Sequence, residues 1–252
     1  MGTLCVGRVP RPFDQGSGRP ERRRGGSGPG GLALQISAEF VTSAAGAGDF
    51  PRDRLSEVAL VGRSNVGKSS LLNALVRRQV ARTSAAPGKT RLANFYRVRR
   101  GQSSPLFLVD LPGYGYARGG DASAREFNQL AEAYFSRGMG IGEWGSGAHA
   151  VPRPPSPVPR EKVPIGILLL VDSRHPGLES DLDAWRWMKT LGLPLSVVGT
   201  KVDKLTRAER ARHARQFETL FDFPVPLVSA HTGEGLDELW KTIASLPRPT
   251  AA

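Results

Sequence analysis

One stretch constrains the fold of this chain more than any other: Gly62-Arg63-Ser64-Asn65-Val66-Gly67-Lys68-Ser69. It matches G-x-x-x-x-G-K-[ST], the P-loop pattern. In such a loop the glycines let backbone N–H groups turn inward around phosphate oxygens, and the lysine adds a positive charge. The serine hydroxyl is a ligand for Mg²⁺, which bridges two phosphates. An apolar run at residues 58–61 precedes the loop and a predicted helix follows it, as this motif requires.

Composition limits the remaining classes of protein. The chain has 252 residues, of which 39% are hydrophobic, enough for one large domain or two small ones. A single cysteine, Cys5, excludes a disulfide framework or a cysteine-based metal site and favours a reducing, cytoplasmic compartment. No apolar run approaches the ~20 residues of a membrane span, so we expect no membrane association. The net charge of +12 fits either a polyanionic partner such as RNA or a solvated basic surface.

Two segments have the composition of disordered or flexible chain. Residues 1–31 are dominated by Gly, Pro, Ser and Arg, with too little apolar surface to offset the entropy of ordering. An RNA-contacting tail, a transit peptide and a spacer or misplaced start remain alternatives, and we favour an inert or weakly RNA-binding tail. Residues 138–163 are Gly-rich and then Pro-rich, which predicts a flexible insertion. The predicted domain therefore spans residues 32–248, interrupted by this insertion.

Apolar runs alternate with helical patterns along the rest of the chain. This alternation predicts an α/β fold of three layers around a mostly parallel central sheet. Together with the P-loop motif, it resembles the P-loop NTPase architecture of Ras-like G domains. The run at 94–98 is predicted to lie on the edge side of the sheet, and the charges of the predicted helix 207–221, including His213, to face solvent. The remaining predicted strands are 58–61, 106–109, 165–172, 194–199 and 225–228; the remaining predicted helices are 68–78, 124–136, 179–191 and 236–246.

A second motif addresses the base of a nucleotide. Thr200-Lys201-Val202-Asp203 follows a predicted strand and matches [NT]-K-x-D. A carboxylate at Asp203 accepts hydrogen bonds from guanine N1–H and its amino group, whereas adenine lacks both donors at that place. The Lys201 stem can lie over the base, and the loop Val228-Ser229-Ala230 can offer a backbone N–H to guanine O6. These motifs favour GTP and GDP as ligands and argue against a P-loop kinase or ATPase.

Two further loops complete the predicted phosphate side. Asp110-Leu111-Pro112-Gly113 ends a buried strand, where an acid holds Mg²⁺ directly or through water. Gly113 leaves its N–H free to approach the terminal phosphate. Pro87-Gly88-Lys89-Thr90 is predicted to form a loop in which Thr90 completes the Mg²⁺ shell and senses that phosphate. Tyr114 stands where many small GTPases carry a water-orienting Gln, so we expect intrinsic turnover on the order of 10⁻⁴ to 10⁻³ per second.

The order of these motifs and the residues within them resemble those of the EngB (YihA/YsxC) family within the translation-factor-related GTPases. The resemblance rests on residues 38–43, 57–70, 87–90 and 110–117, and extends over about 38–136 and 164–246. It departs at Arg91, where many relatives carry Gln. The family implies a monomeric cytoplasmic GTP-binding protein needed for large ribosomal subunit assembly, and linked in some relatives to cell division and septation. It also implies Mg²⁺ at Ser69 and Thr90, with rRNA and ribosomal proteins of the pre-ribosomal large subunit as partners.

The predicted functional residues form three groups. Lys68, Thr90 and Asn65 are the candidates for catalysis, where the Asn65 oxygen either coordinates K⁺ near the phosphates or satisfies P-loop backbone groups. Ser69, Thr90 and Asp110 are the candidates for Mg²⁺. The functions in play are a GTP-hydrolysing switch or a GTP-gated RNA- or ribosome-binding module with negligible hydrolysis. The nucleotide is expected to contact Gly62, Arg63, Ser64, Asn65, Val66, Gly67, Lys68, Ser69, Gly88, Lys89, Thr90, Arg91, Leu92, Asp110, Leu111, Pro112, Gly113, Thr200, Lys201, Val202, Asp203, Val228, Ser229 and Ala230.

Overall fold

The structure, a computed structural model, describes residues 35–53, 55–82, 92–114, 120–139, 163 and 165–245. Within the helix at 120–139, side chains are described only for residues 127–137. The predicted tail at 1–31 and the predicted loop with Gly88, Lys89, Thr90 and Arg91 lie outside these residues. Most of the predicted insertion, residues 140–162, also lies outside them.

A six-stranded sheet forms the centre of the fold. Its strands are adjacent in the order β1-β3-β4-β2-β5-β6. The four strands β4, β2, β5 and β6 are parallel, whereas β1 and β3 add to the β4 side as antiparallel strands. The predicted mostly parallel α/β sheet is therefore confirmed. The strands are β1 (Ile36–Ala44), β2 (Glu57–Gly62), β3 (Ala93–Arg100), β4 (Leu106–Asp110), β5 (Ile165–Asp172) and β6 (Leu195–Thr200).

Helices cover both faces of the sheet and make the predicted three layers. On one face, Leu72 of α1 and Trp240 of α5 pack over the sheet in one apolar cluster. On the other face, Tyr134 of α2, Met188 of α3 and Phe217 of α4 belong to a second cluster. All eight residues of β5 are buried, as a strand covered on both faces requires. The helices are α1 (Lys68–Val76), α2 (Gly120–Met139), α3 (Glu179–Thr190), α4 (Arg207–Phe221) and α5 (Leu236–Ser245).

The strand predicted at 94–98 lies on the edge side of the sheet, one strand in from β1, which pairs outside it. Two other local predictions were wrong, each for a physical reason. Residues 225–228 form only an isolated bridge between Gly199 and Leu227, since Pro226 in this stretch has no N–H to donate to a ladder. His213 is buried rather than solvated, and its Nδ1 lies 2.8 Å from the Ser173 carbonyl oxygen.

The second helix is longer than predicted and enters the predicted insertion. It runs to Met139, so residues 138 and 139 are helical. The Val163 N–H donates to the Arg137 carbonyl oxygen at 3.3 Å, which brings the two ends of the intervening segment together. Among the described helices none is long and apolar enough to cross a membrane.

Candidate nucleotide-binding site

The parallel strands bring three motif residues, and Asp172 beside them, to one edge of the sheet. Gly62, Asp110, Asp172 and Thr200 are the last residues of β2, β4, β5 and β6. Because the carboxyl ends of parallel strands meet at one edge, the P-loop, the acid of the second motif and the base motif become neighbours there. This is the place where α/β sheets of this type bind ligands.

The P-loop has the curled backbone that its sequence predicts. Gly67 has φ 111° and Asn65 has φ 64°, both left-handed conformations that glycine and asparagine tolerate best. Lys68 begins α1 and its Nζ donates to the carbonyl oxygens of Gly62 and Arg63 at 3.0 and 3.3 Å. Burial lowers the pKa of Lys68, and the nearby Asp110 carboxylate opposes that shift. The ammonium thus lies inside the loop that would surround phosphate oxygens.

Ser69 and Asp110 form the core of the predicted Mg²⁺ site. The Ser69 hydroxyl donates to Asp110 Oδ2 at 2.6 Å, while the buried Asp110 Oδ1 has no hydrogen-bond partner among the described residues. Burial raises the pKa of Asp110, opposed by Lys68 and by the Ser69 hydrogen bond. A hydroxyl beside a carboxylate with a free oxygen fits a hard divalent cation that also keeps water ligands. Within the described ranges no three His, Cys, Asp or Glu residues cluster as an alternative metal site.

The loop after β4 touches the P-loop directly. A Cβ atom at Gly113 would lie 2.6 Å from the backbone N of Ser64 and 2.8 Å from its Cα and its Oγ. Cβ atoms in proteins do not approach other atoms so closely. The Ser64 N–H donates to the Tyr114 carbonyl oxygen at 3.3 Å, which ties the two loops together. The glycine is therefore required by close packing, a reason additional to the free N–H expected from the sequence.

The base motif is held by hydrogen bonds from the last loop. Ser229 is fully buried and its hydroxyl donates to Asp203 Oδ1 at 2.7 Å. The backbone N–H groups of His231 and Thr232 donate in turn to the Ser229 hydroxyl, at 3.1 and 3.0 Å. The Ser229 hydrogen bond keeps the pKa of Asp203 below its ordinary value. The carboxylate is therefore an ionised acceptor, as recognition of two guanine donors requires.

Two side chains of the base motif also reach the P-loop. The Thr200 hydroxyl donates to the Val66 carbonyl oxygen at 2.8 Å, and Lys201 Nζ donates to the Asn65 carbonyl oxygen at 2.6 Å. The base and phosphate motifs are therefore joined into one site, although 134 and 136 residues separate these partners along the chain.

Asp172 is a functional candidate that the sequence reasoning did not select. Its buried carboxylate accepts from Lys201 Nζ at 2.9 Å and from the Arg174 guanidinium at 2.8 and 2.9 Å. Burial opposes ionisation, but these hydrogen bonds outweigh it and hold the pKa of Asp172 below its ordinary value. Its position at the end of β5, level with Thr200, was the signal that could have found it.

The predicted residues divide into side-chain and backbone candidates. The side chains of Val66, Leu111, Val202 and Val228 are buried in the core, so only their backbone can face a nucleotide. Leu92, at 38% exposure, lies just before β3. The predicted contacts Gly62 to Ser69, Asp110 to Gly113, Thr200 to Asp203, and Val228 to Ala230 lie at this edge, in the last residues of the strands, the loops that follow them and the first turn of α1.

Comparisons with known proteins agree with this geometry. The family model described as "50S ribosome-binding GTPase" matches residues 57–138. "Probable GTP-binding protein EngB" of Pelotomaculum thermopropionicum is 41% identical over 216 residues, covering 82% of this chain and 93% of that protein. The protein of the same name from Thermotoga maritima is 40% identical over 212 residues, covering 82% and 95%.

Solved structures give the same fold. Era in complex with MgGDPNP and nucleotides of 16S ribosomal RNA matches 78% of this chain and 58% of that chain, with a TM-score of 0.60 and 24% identity. This likeness supports the P-loop GTPase fold and, at that identity, no more. Together with the relatives' extent and identity, the site geometry leads to one conclusion: the chain belongs to the EngB family of GTP-binding proteins.

Proposed function

We propose that this protein is a GTP-hydrolysing switch that acts in the cytoplasm on the assembling large ribosomal subunit. The proposal is supported mainly by the geometry of the base motif. Asp203 is ionised, and Thr200 and Lys201 of the same motif donate hydrogen bonds to the P-loop. The family to which the chain belongs consists of GTP-binding proteins. The matching family description, which names 50S ribosome binding, and the net charge of +12 support an rRNA-containing partner. Monomeric behaviour and a link to cell division and septation stay predictions.

The residues of the site would divide the work of binding. Asp203 accepts from the guanine donors, the stem of Lys201 covers the base, and Ala230 offers its N–H to O6. Lys68 and the backbone N–H groups of the P-loop hold the phosphates. Ser69 and Thr90 would ligate Mg²⁺, with Asp110 acting through water; when bound, the ion neutralises charge on the phosphate oxygens.

Hydrolysis is proposed to be slow in the isolated protein. The Tyr114 hydroxyl donates to Asp181 at 3.0 Å, so it is engaged elsewhere and does not act as a water-orienting amide. This engagement also favours the second candidate, a GTP-gated binding module with negligible hydrolysis. Turnover measured with and without large-subunit particles separates the two, because only a switch is accelerated by its partner.

Asn65 is proposed as a K⁺ ligand that helps hydrolysis. Its side chain is exposed and makes no hydrogen bond within the described part of the chain, so it does not satisfy P-loop backbone groups there. Faster GTP hydrolysis in KCl than in NaCl at equal ionic strength is expected. An Asn65→Gly variant, which keeps the left-handed backbone, should remove the difference, and equal rates for the unchanged protein would refute the role.

The experiment for the partner is a nucleotide-dependent pull-down. Protein loaded with a non-hydrolysable GTP analogue or with GDP is incubated with ribosomal particles, and bound rRNA and ribosomal proteins are identified. We expect large-subunit rRNA with the analogue and much less with GDP. An Asp203→Asn variant in the same GTP analogue is the matched control and should capture little. Equal capture in every arm would make the contact independent of the nucleotide, and no capture would remove the ribosomal proposal.

A further inference from the structure

One buried carboxylate beside the site has no role in the scheme above. Asp181 lies in the first turn of α3 and is 2% exposed. Its Oδ1 accepts from the Tyr114 hydroxyl at 3.0 Å and lies 3.0 Å from Arg63 Nε. Its Oδ2 is buried without a hydrogen-bond partner among the described residues. Such a group is costly to bury, since an unpaired oxygen of a carboxylate loses its hydration.

The two partners of Asp181 belong to two different nucleotide loops. Arg63 is the second residue of the P-loop, and Tyr114 directly follows Gly113. The backbones of Arg63 and Tyr114 already form an isolated parallel bridge. The Tyr114 ring also makes an edge contact with Phe127 of α2, with the ring centroids 6.2 Å apart. One carboxylate on α3 therefore contacts both phosphate-side loops.

The polar contacts of Asp181 with Arg63 and Tyr114 depend on direction and distance more strongly than apolar packing does. The Tyr114 hydrogen bond and the Arg63 ion pair converge on one oxygen and favour one arrangement of the two loops, whereas apolar side chains of similar volume could slide. Burial raises the pKa of Tyr114, and the Asp181 charge adds to this, so the phenol remains a neutral donor. The arrangement holds Tyr114 against α3 and Gly113 against Ser64.

We propose that Asp181 is a positioning residue for the γ-phosphate side of the site. By holding Arg63 and Tyr114 it sets the distance between the P-loop and Gly113, whose N–H is expected to meet the terminal phosphate. This inference rests on the proposed GTP-dependent switch. GDP lacks the γ-phosphate and the base motif does not touch Asp181. Loss of Asp181 should therefore weaken binding of GTP much more than binding of GDP.

The test compares the unchanged protein, Asp181→Asn, Tyr114→Phe, the double variant and one control variant. Asp183→Asn is the matched control, because Asp183 lies on the same helix but is exposed, and among the described residues it pairs only with Arg186, at 2.7 Å. Affinities for a non-hydrolysable GTP analogue and for GDP are measured in Mg²⁺, with melting temperatures as a check on folding. We expect Asp181→Asn to weaken the GTP analogue about 5- to 10-fold and GDP less than 2-fold.

The double variant separates positioning from general stability. If Tyr114 and Asp181 act as one unit, the double variant should weaken the analogue no more than Asp181→Asn alone. A fall in melting temperature with equal losses for GTP analogue and GDP would show a purely structural role and overturn the inference. Unchanged affinities for both would overturn it too. Failure of the unchanged protein to bind either nucleotide would instead overturn the proposed function, so the two failures are distinguishable.

Discussion

The base side and the phosphate side of the site differ in how completely their polar groups are satisfied. On the base side, Asp203 and Lys201 are each held by side-chain or backbone partners in the described chain. On the phosphate side, Asp110 Oδ1 and the Asn65 side chain have no such partner there. We infer that the base side is preorganised, with Asp203 and Lys201 in place before nucleotide binds, whereas metal and nucleotide satisfy the remaining polar groups of the phosphate side.

The largest effect should come from removing the charge inside the P-loop. Lys68→Ala is expected to abolish measurable binding of both GTP and GDP, because the phosphates lose their buried ammonium. Fluorescent-nucleotide titration measures this, with the exposed Lys241→Ala as control. Binding of GTP within 10-fold of the unchanged protein would show that the phosphate side does not depend on Lys68.

Guanine selectivity should depend on Asp203. Asp203→Asn removes an ionised acceptor, and we expect a loss of about 2–4 kcal/mol for GTP together with a gain for xanthosine triphosphate, whose C2 oxygen pairs with an amide donor. Competition titrations with both nucleotides measure the switch. Asp222→Asn is the control, since Asp222 is an exposed helix C-cap where asparagine is tolerated. Unchanged selectivity would show that the base side lies elsewhere.

Asp172 supports Lys201 on the base side, and its carboxyl makes the stability of the protein depend on pH. Asp172→Asn should weaken GTP and GDP equally, by about 10-fold, because Lys201 loses its charged partner. The carboxyl has a lowered pKa in the fold, so its stabilisation is present above the ordinary pKa of about 4 and is lost as pH falls below it.

Thermal unfolding at several pH values checks this account of Asp172. The difference in stability between the unchanged protein and Asp172→Asn should be full at pH 7 and shrink below about pH 4. A loss for GTP alone, or a stability difference that does not change with pH, would contradict the role given to this carboxylate.

The smallest effect should depend on the metal. Ser69→Ala is expected to lower GTP affinity in Mg²⁺ and to change it little in EDTA. The reason is that the hydroxyl acts on the nucleotide only as a metal ligand, and EDTA removes the metal. Ser70→Ala, the neighbouring exposed position on α1, is the control and should change neither value. Equal losses in both buffers would mean that Ser69 contacts the nucleotide or the fold rather than Mg²⁺.

Functional motifs made of neighbouring residues could be predicted from the sequence. Contacts between side chains that are far apart along the chain could not. The P-loop and Thr-Lys-x-Asp motifs were found because each concentrates its residue types within a few positions. Asp181 was missed because its Tyr114 partner is 67 residues away and the local pattern is that of an ordinary helix start. His213 was misread because a single buried carbonyl, Ser173, turns one polar residue of a charged helix inward. The apolar run at 225–228 predicted a strand, but it contains Pro226, which has no N–H to donate.

Hydrogen exchange of backbone amides, measured with and without nucleotide, distinguishes a base side that is ordered in advance from one that becomes ordered on binding. In the nucleotide-free protein, peptides spanning 199–205 should already exchange slowly, whereas peptides spanning 110–114 exchange faster. Adding a GTP analogue with Mg²⁺ should slow exchange strongly at 62–69 and 110–114 and change 199–205 little. Fast exchange at 199–205 before nucleotide is added, followed by protection equal to that of the P-loop, would contradict a preorganised base side.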